Sequence, residues 1–114
     1  MDIGVIRPDA ALEAEHGVVV VIDVFRAANT VLALLEAGAS AVLLEADLAR
    51  ARALRGAFPA RRLLGERGGV APADFDGGNS PAHAADLVEA DAEVVLTTSA
   101  GTQAVHRLEH AEAV

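Results

Sequence analysis

The most constraining feature of the sequence is an unbroken β-branched run from Val18 to Ile22, with the letters VVVVI. β-branched side chains favour extended backbone, and a run without polar residues indicates a strand that is covered on both faces. Strands of that kind are typical of parallel sheets, in which helices connect one strand to the next. The run therefore predicts a central strand of an α/β domain.

Three shorter apolar runs follow, each far enough from its neighbours to leave room for a helix. They are Ala41–Leu44, Arg62–Gly65 and Glu93–Thr97, and Ile3–Ile6 is a candidate edge strand. Because the runs alternate with helical patterns, the chain is predicted to form a single α/β domain over residues 1–114. We expect a three-layer α/β/α arrangement around a mostly parallel or mixed sheet of about four to five strands.

The predicted helices are delimited by capping residues and by glycine or proline. Asn29 or Thr30 is the expected cap of a helix that runs to Ala37 and stops at Gly38. A second helix runs from Leu48 to Phe58 with Asp47 as its cap, and its predicted buried stripe is Leu48, Ala51, Leu54 and Phe58. Two more helices are expected, one from Ser80-Pro81 to about Ala90 and one after Gly101-Thr102.

Charge and composition exclude several classes of protein. There are 17 acidic residues against nine basic ones, with a net charge of −8, so neither a nucleic acid nor an anionic membrane is an expected partner. The chain has no Cys, which excludes a disulfide framework and thiol chemistry. Its N-terminus does not resemble a signal peptide and no apolar run is long enough to span a bilayer, so a cytoplasmic location is the expectation.

Polar residues cluster where three of the predicted strands end, which is where ligands bind in open α/β sheets. In the first cluster, Asp23 directly follows the apolar run and Arg26 lies in the turn before a helix. A carboxylate there suits Mg²⁺, and an Arg at a helix N-terminus suits a phosphate or a carboxylate. The alternative is that Asp23 and Arg26 pair with each other across the turn.

The second cluster is a long loop from Glu66 to Asn79 that carries paired glycines on each side. Glycine permits positive φ and close approach of the backbone to a ligand. Glu66 is a candidate metal ligand or base, Arg67 is a candidate anion ligand, and Asn79 and Ser80 stand at a helix start. The alternative is a flexible, solvated loop that ends in an ordinary Ser-Pro cap.

The third cluster is the segment Thr97–Thr102, which has four hydroxyls and one glycine in six residues. It offers hydrogen-bond donors to phosphate oxygens without a buried charge. Capping of the next helix by Ser99 or Thr102 accounts for the same residues, and the two roles are compatible.

Taken together, the three clusters resemble the 2-phosphosulfolactate phosphatase family. The matching segments are Val20–Ala27 (VVIDVFRA), Gly65–Gly69 (GERGG), Phe75–Pro81 (FDGGNSP), and Leu96–Thr98 together with Gly101-Thr102. Their shared order and spacing make the match specific, and it covers the chain from about Ile3 to Ala104. The chain thus resembles the N-terminal half of a longer family fold.

The resemblance implies a Mg²⁺-dependent phosphatase that acts on 2-phospho-3-sulfolactate, in the route to coenzyme M, or on a related phosphate ester of a 2-hydroxy acid. We expect Asp23, Glu66 and Asp76 to hold the metal, and Asp23, Glu66 and Arg67 to be catalytic, with a water molecule or Asp23 as the nucleophile. The expected substrate- and phosphate-binding residues are Arg26, Asn79, Ser80, Thr97, Thr98, Gly101 and Thr102.

Two departures from the family pattern bear on activity. Ala100 stands where the family usually carries an Asn, and family members continue well past the last residue of this chain. The expected partners are therefore a small anionic phosphate ester and either a second copy of the chain or a complementing subunit. The competing hypothesis is an anion-binding or assembly domain without turnover. A nucleotide-binding module ranks last, because the turn after Asp23 lacks the glycines that a pyrophosphate needs.

Overall fold

The computed structural model describes residues 26–106, apart from the side chains of residues 104–106. In chain order its elements are α1 (Ala27–Glu36), β1 (Ala41–Leu44), α2 (Leu48–Ala57), β2 (Arg62–Gly65), α3 (Pro81–Asp86), β3 (Glu93–Thr97) and α4 (Gly101–His106). None of the helices in this part of the chain is long and apolar enough to cross a membrane. The predicted strands Ile3–Ile6 and Val18–Ile22 lie outside the described residues, as does Asp23.

The three strands form one parallel sheet in the order β1-β3-β2. Central β3 pairs with both neighbours, so that Val94 lies opposite Val42 on one side and opposite Arg62 on the other. Parallel neighbours require crossover connections, which α2 and α3 supply here. The described part is therefore α/β with three parallel strands and four helices, whereas the larger sheet and its three layers stay predictions.

The side chains of β3 alternate between two apolar clusters. Val94 and Leu96 pack with Leu34 of α1, whereas Val95 packs with Ala51 of α2. All five side chains are fully buried. Successive residues of a strand point to opposite faces, so helices cover the central strand on both sides. A ligand therefore has access to this sheet at the strand ends rather than on its faces.

Helix α1 begins earlier than predicted. Its N-cap position is Arg26, so the prediction that Asn29 or Thr30 caps the helix is wrong. Thr30 lies inside the helix, where its Oγ1 donates a hydrogen bond to the carbonyl of Arg26 at 3.0 Å. Hydroxyl side chains cap helices and also bond to the carbonyl four residues back, and a local pattern does not distinguish these two uses.

Helix α2 confirms its predicted cap but not the whole of its buried stripe. The Asp47 carboxylate accepts the N–H of Arg50 at 2.9 Å. Phe58 is 60% exposed, so its placement in the stripe is wrong. Its backbone is extended at the C-cap, which turns the ring out of the helical stripe, and the Cζ of Arg61 lies 4.3 Å from the ring centroid.

Helix α3 is shorter than predicted. It begins at Pro81, as the Ser-Pro pair indicates, but it ends at Asp86, about one turn before the expected end. The Ser80 side chain makes no capping hydrogen bond. Leu87 and Val88, which follow the helix, pack against the apolar cluster around Leu34, and burying them takes the chain out of the helical path.

The second half of the loop between β2 and α3 is attached to the sheet. The N–H of Asp76 donates to the carbonyl of Leu63 at 2.8 Å, and the N–H of Gly65 donates to the carbonyl of Gly77 at 3.1 Å. Residues 76–77 thus run parallel beside β2, with Leu64 opposite Gly77. A flexible, solvated loop does not describe this segment, which extends the edge of the sheet.

Candidate functional site

β2 and β3 approach each other closely where they end. Gly65 has a φ of +152°, and a Cβ at this position would collide with the carbonyl oxygen of Thr97. That same oxygen accepts the N–H of Glu66 at 3.0 Å. Only glycine fits such a contact, so the residue that begins the GERGG motif fixes Glu66 against the end of β3.

A tight turn follows Glu66. The N–H of Arg67 donates to the carbonyl of Val70 at 3.0 Å, and the N–H of Val70 donates back to the carbonyl of Arg67 at 3.2 Å. The two residues between them, Gly68 and Gly69, have φ values of +61° and +84°. A two-residue turn of type I′ needs positive φ at both positions, which explains the paired glycines of the motif.

The carboxylate of Glu66 connects the exits of β2 and β3. Its Oε1 accepts the N–H of Ser99 at 2.8 Å, while Oε2 accepts the hydroxyl of Ser99 at 2.8 Å and the N–H of Gly69 at 2.9 Å. The Ser99 hydroxyl in turn accepts the N–H of Gly68 at 3.1 Å. With an exposed fraction of only 8%, Glu66 lies inside this connection rather than on its surface.

The pKa of Glu66 is lowered from its ordinary value of 4.5. Burial acts in the opposite direction and raises the pKa. The hydrogen bonds from the N–H of Ser99, the N–H of Gly69 and the Ser99 hydroxyl, together with the positive charge of Arg67, outweigh the burial. The side chain is therefore an ionised carboxylate at neutral pH.

The guanidinium of Arg67 spans the sheet at the same edge. Its Nη1 donates to the carbonyl of Glu66 at 2.8 Å, and its Nη2 donates to the carbonyl of Ala46 at 2.7 Å and to Oγ1 of Thr97 at 2.8 Å. Ala46 follows β1 and Thr97 ends β3, so one side chain touches the exits of all three strands. Within the described part of the chain, the Nε hydrogen and one Nη1 hydrogen have no protein acceptor.

The threonines that were predicted to donate to phosphate are buried and bonded within the protein. Oγ1 of Thr97 accepts from Arg67. Oγ1 of Thr98 accepts the N–H of Thr102 at 3.1 Å, and Oγ1 of Thr102 accepts the N–H of Thr98 at 2.8 Å. This reciprocal pair caps α4, which begins at Gly101. Capping and cross-strand bonding thus account for these hydroxyls.

Asp76 is not brought together with Glu66. Its Oδ2 accepts the N–H of Leu63 at 2.8 Å and pairs with Arg55 of α2. Leu63 and Glu66 are separated by roughly 10 Å at about 3.3 Å of strand rise per residue. Among the side chains that the structure describes, over residues 26–103, no three His, Cys, Asp or Glu lie close enough to hold a metal ion. The described residues alone therefore do not form the expected magnesium site, and Asp23 lies outside them.

The remaining predicted residues stand at helix starts. Arg26 is exposed at the N-cap position of α1, and Ser80 occupies the N-cap position of α3. Asn79 is 7% exposed, and its Oδ1 has no hydrogen-bond partner in the described structure. Buried polar atoms are nearly always paired, so the amide of Asn79 is a group that a bound ligand or water molecule could satisfy.

Sequence reasoning did not identify every residue that builds this edge. Ser99 was expected as a helix cap or as one of four hydroxyl donors to phosphate, but not as a partner of Glu66. Gln103, whose Nε2 donates to the carbonyl of Ala46 at 2.6 Å, was not expected at all. The order β1-β3-β2 is what brings Glu66 and Ser99 together. That order is not encoded in any local pattern, and a carbonyl such as that of Ala46 has no signature in a sequence.

Comparison of the sequence with known proteins points to one family. Residues 6–114 match the sequence model described as 2-phosphosulpholactate phosphatase. The "Probable 2-phosphosulfolactate phosphatase" of Deinococcus radiodurans is 46% identical over 100 residues, which are 88% of this chain and 38% of that protein. A protein of the same name from Parasynechococcus marenigrum is 44% identical over 89% of this chain and 39% of its own length. Another, from Thermus thermophilus, is 44% identical over 78% of this chain and 37% of its own length. The chain spans about two fifths of the length of these relatives.

Proposed function

Because this chain belongs to the 2-phosphosulfolactate phosphatase family, we propose that it takes part in the hydrolysis of a phosphate monoester. The proposed substrate is 2-phosphosulfolactate or a related 2-phospho-hydroxy acid, and the proposed setting is a route of the coenzyme M type. The observation that carries the proposal is the Arg67 guanidinium held across the carboxyl edge of the parallel sheet.

The geometry of Arg67 suits an anion. A guanidinium binds phosphate and carboxylate oxygens best when its planar fork is held in place before the ligand arrives. Three internal hydrogen bonds hold it here, and two further N–H hydrogens have no acceptor among the described residues. Little side-chain entropy is then lost when an oxyanion binds, which favours tight and oriented binding.

The proposal includes a second cation at the same edge. α1 ends at Glu36 and β1 begins at Ala41, and a helix joined to a strand by so short a connection typically runs against it, which would put Arg26 toward the carboxyl edge. A further parallel strand over Val18–Ile22, in a three-layer sheet of about four to five strands, would end at Asp23 beside it. Two arginines match a substrate that carries a phosphate and a second acid group.

Magnesium dependence is part of the proposal and rests on the family resemblance alone. The resemblance implies Asp23 and Glu66 as ligands, but hydrogen bonds from Ser99 and Gly69 already engage the Glu66 carboxylate, so Glu66 is not proposed to bind the ion. The described residues alone form no magnesium site. The work assigned to this chain is binding: Arg67 and Arg26 hold the phosphate and the acid group, and the Asn79 amide accepts a hydrogen bond from a hydroxyl or a water molecule.

Release of inorganic phosphate from 2-phosphosulfolactate, phospholactate and phosphoglycolate tests the proposal. We expect release from at least one of them, lost on addition of EDTA and restored by Mg²⁺. Arg67→Ala should reduce the release by about tenfold or more, since a charged hydrogen-bond donor to the transition state is removed. Arg50→Ala, which removes an exposed arginine of α2, is the matched control and should change it by less than about twofold. No release from any substrate by the folded protein would contradict the proposal.

A further inference from the structure

The Glu66 carboxylate receives three hydrogen bonds from two turns that are far apart in the chain. Ser99 donates two of them and is 33 residues from Glu66, and the N–H of Gly69 donates the third. Resting on the proposed function, we infer that Glu66 is a positioning residue. It clamps the exits of β2 and β3 together and thereby holds Arg67 in place to bind the substrate.

Arg67 is anchored through the residues on both sides of it. Glu66, which precedes it, bonds to Ser99 through its carboxylate, and Gly68, which follows it, donates its N–H to the hydroxyl of Ser99 at 3.1 Å. The N–H of Arg67 itself is held by the carbonyl of Val70. Because both neighbours share one partner on the other strand exit, the backbone of Arg67 is tied to the position of Ser99.

The same contacts argue against a metal-binding role for Glu66. An ionised carboxylate accepts about four hydrogen bonds, and three of those positions are already used. Glu66 is almost fully buried, and the described side chains, which end at residue 103, offer no cluster of acidic or His ligands. Only about one acceptor position is left, so an ion bound through both oxygens would displace a donor of Ser99 or Gly69, and with it part of the connection between the strands.

Two substitutions weaken the clamp from opposite sides. Glu66→Gln keeps the shape of the side chain but replaces one oxygen with an NH₂ group, which cannot accept the N–H of Ser99 or of Gly69. Ser99→Ala removes the hydroxyl, and with it the bonds to Oε2 and from the N–H of Gly68, but it keeps the carboxylate and the backbone N–H that donates to Oε1. If Glu66 and Ser99 act as one unit, the double variant should show no faster amide exchange and no higher KM than the more severe single variant.

Amide hydrogen exchange over residues 66–70 and 97–102, read by mass spectrometry, tests the clamp without any need for turnover. We expect each single variant to exchange both segments about tenfold faster or more, because the turns open locally more often. Glu89→Gln removes an exposed glutamate away from the site and should leave both segments unchanged. Unchanged exchange in Glu66→Gln would overturn the inference.

Phosphate release separates positioning from metal binding. With 2-phosphosulfolactate, we expect Glu66→Gln and Ser99→Ala each to raise KM by about tenfold, with the Mg²⁺ activation constant of the parent protein retained. A raised activation constant in Glu66→Gln alone, with Ser99→Ala like the parent, would overturn the inference in favour of a metal ligand. If the proposed function is wrong, the parent protein itself releases no phosphate. The exchange measurement needs no turnover, so in that case it still shows whether Glu66 and Ser99 hold the two turns together.

Discussion

Nη2 of Arg67 lies 2.8 Å from Oγ1 of Thr97 and 2.7 Å from the carbonyl oxygen of Ala46, so one nitrogen joins the ends of β3 and β1. Thr97 is fully buried, which places this contact inside the fold rather than on its surface. The residue proposed to bind the substrate therefore also connects the strands. Substitution of Arg67 should affect stability and binding together.

Arg67→Lys tests the stability part of this relationship. Lysine keeps the positive charge but presents its donors from one point, so it cannot replace the planar fork that reaches three acceptors. We expect the free energy of unfolding to fall by about 1–3 kcal/mol, the usual effect of losing hydrogen bonds to a charged group. Urea denaturation followed by circular dichroism measures it. Arg50→Lys on α2 should change the free energy of unfolding by less than about 0.5 kcal/mol. Equal values for the two variants would show that the hydrogen bonds of Arg67 to the strand ends do not stabilise the fold.

Gly65→Ala should be among the most destabilising single substitutions in the protein. The new Cβ collides with the carbonyl of Thr97. In addition, residue 65 must keep a φ of +152°, which alanine rarely adopts. We expect a loss of about 3 kcal/mol or more, measured by thermal or urea unfolding.

Gly56→Ala is the matched control for that substitution. A Cβ at Gly56 has no neighbour within 4 Å, and the residue lies in α2, where alanine is the better helix former. The variant should gain about 0.5–1 kcal/mol. If both variants lost a similar amount of stability, the contact with Thr97 would not be the cause.

Leu96→Ala tests the cluster that covers β3 on the α1 side. Leu96 is fully buried against Leu34, so removing its side chain leaves a cavity and should cost about 2–5 kcal/mol. Leu32→Ala is the comparison, because Leu32 is 57% exposed and should change stability by less than about 0.5 kcal/mol. Similar unfolding midpoints for the two variants would be incompatible with the described core.

Acid should lower the folding stability of the protein by protonating Glu66. Because its pKa is lower in the folded state than the ordinary value of 4.5, the folded state favours the ionised form. The stability that this provides is complete above the unfolded pKa and is lost as the pH falls through the folded pKa. Glu66→Gln lacks this group, so the stability difference between the parent protein and the variant should be constant near neutral pH and shrink in acid.

Urea midpoints measured from about pH 7 to about pH 3 check this dependence. Asp74 has its own lowered pKa from the hydrogen bond of Arg52, but that pair is present in both proteins and cancels in the difference. A difference that stays constant or grows on acidification would contradict the assignment to Glu66.

The local parts of the fold could be predicted from the sequence. The runs Ala41–Leu44, Arg62–Gly65 and Glu93–Thr97 form strands with the predicted bounds, and Asp47 caps its helix as expected. Each depends on neighbouring residues alone. Phe58 and the cap of α1 were predicted wrongly, because there a residue type that fits one local role takes another once the tertiary contacts form.

The candidate site was predictable in position but not in its bonds. Glu66, Arg67 and Thr97 follow or end strands, and the carboxyl ends of parallel strands share one edge. Their partners depend on β3 lying between β1 and β2, and on hydroxyls such as that of Thr98, for which capping and ligand binding leave the same pattern in a sequence. Long-range order decides between such roles.

The strand order also has a consequence for how the chain is made. Among the described strands, β1 and β2 pair only with β3, which is the last of the three to be synthesised. Until Thr97 has left the ribosome, no ladder can form between these strands and Glu66 has no Ser99 to hold. From the synthesis of Gly65 to that of Thr97, the nascent chain therefore carries β1 and β2 without the described strand that pairs with both, a state in which polypeptides are prone to aggregate and to bind chaperones. Among the described residues, the parallel sheet and the contact of Glu66 with Ser99 thus form in the same step.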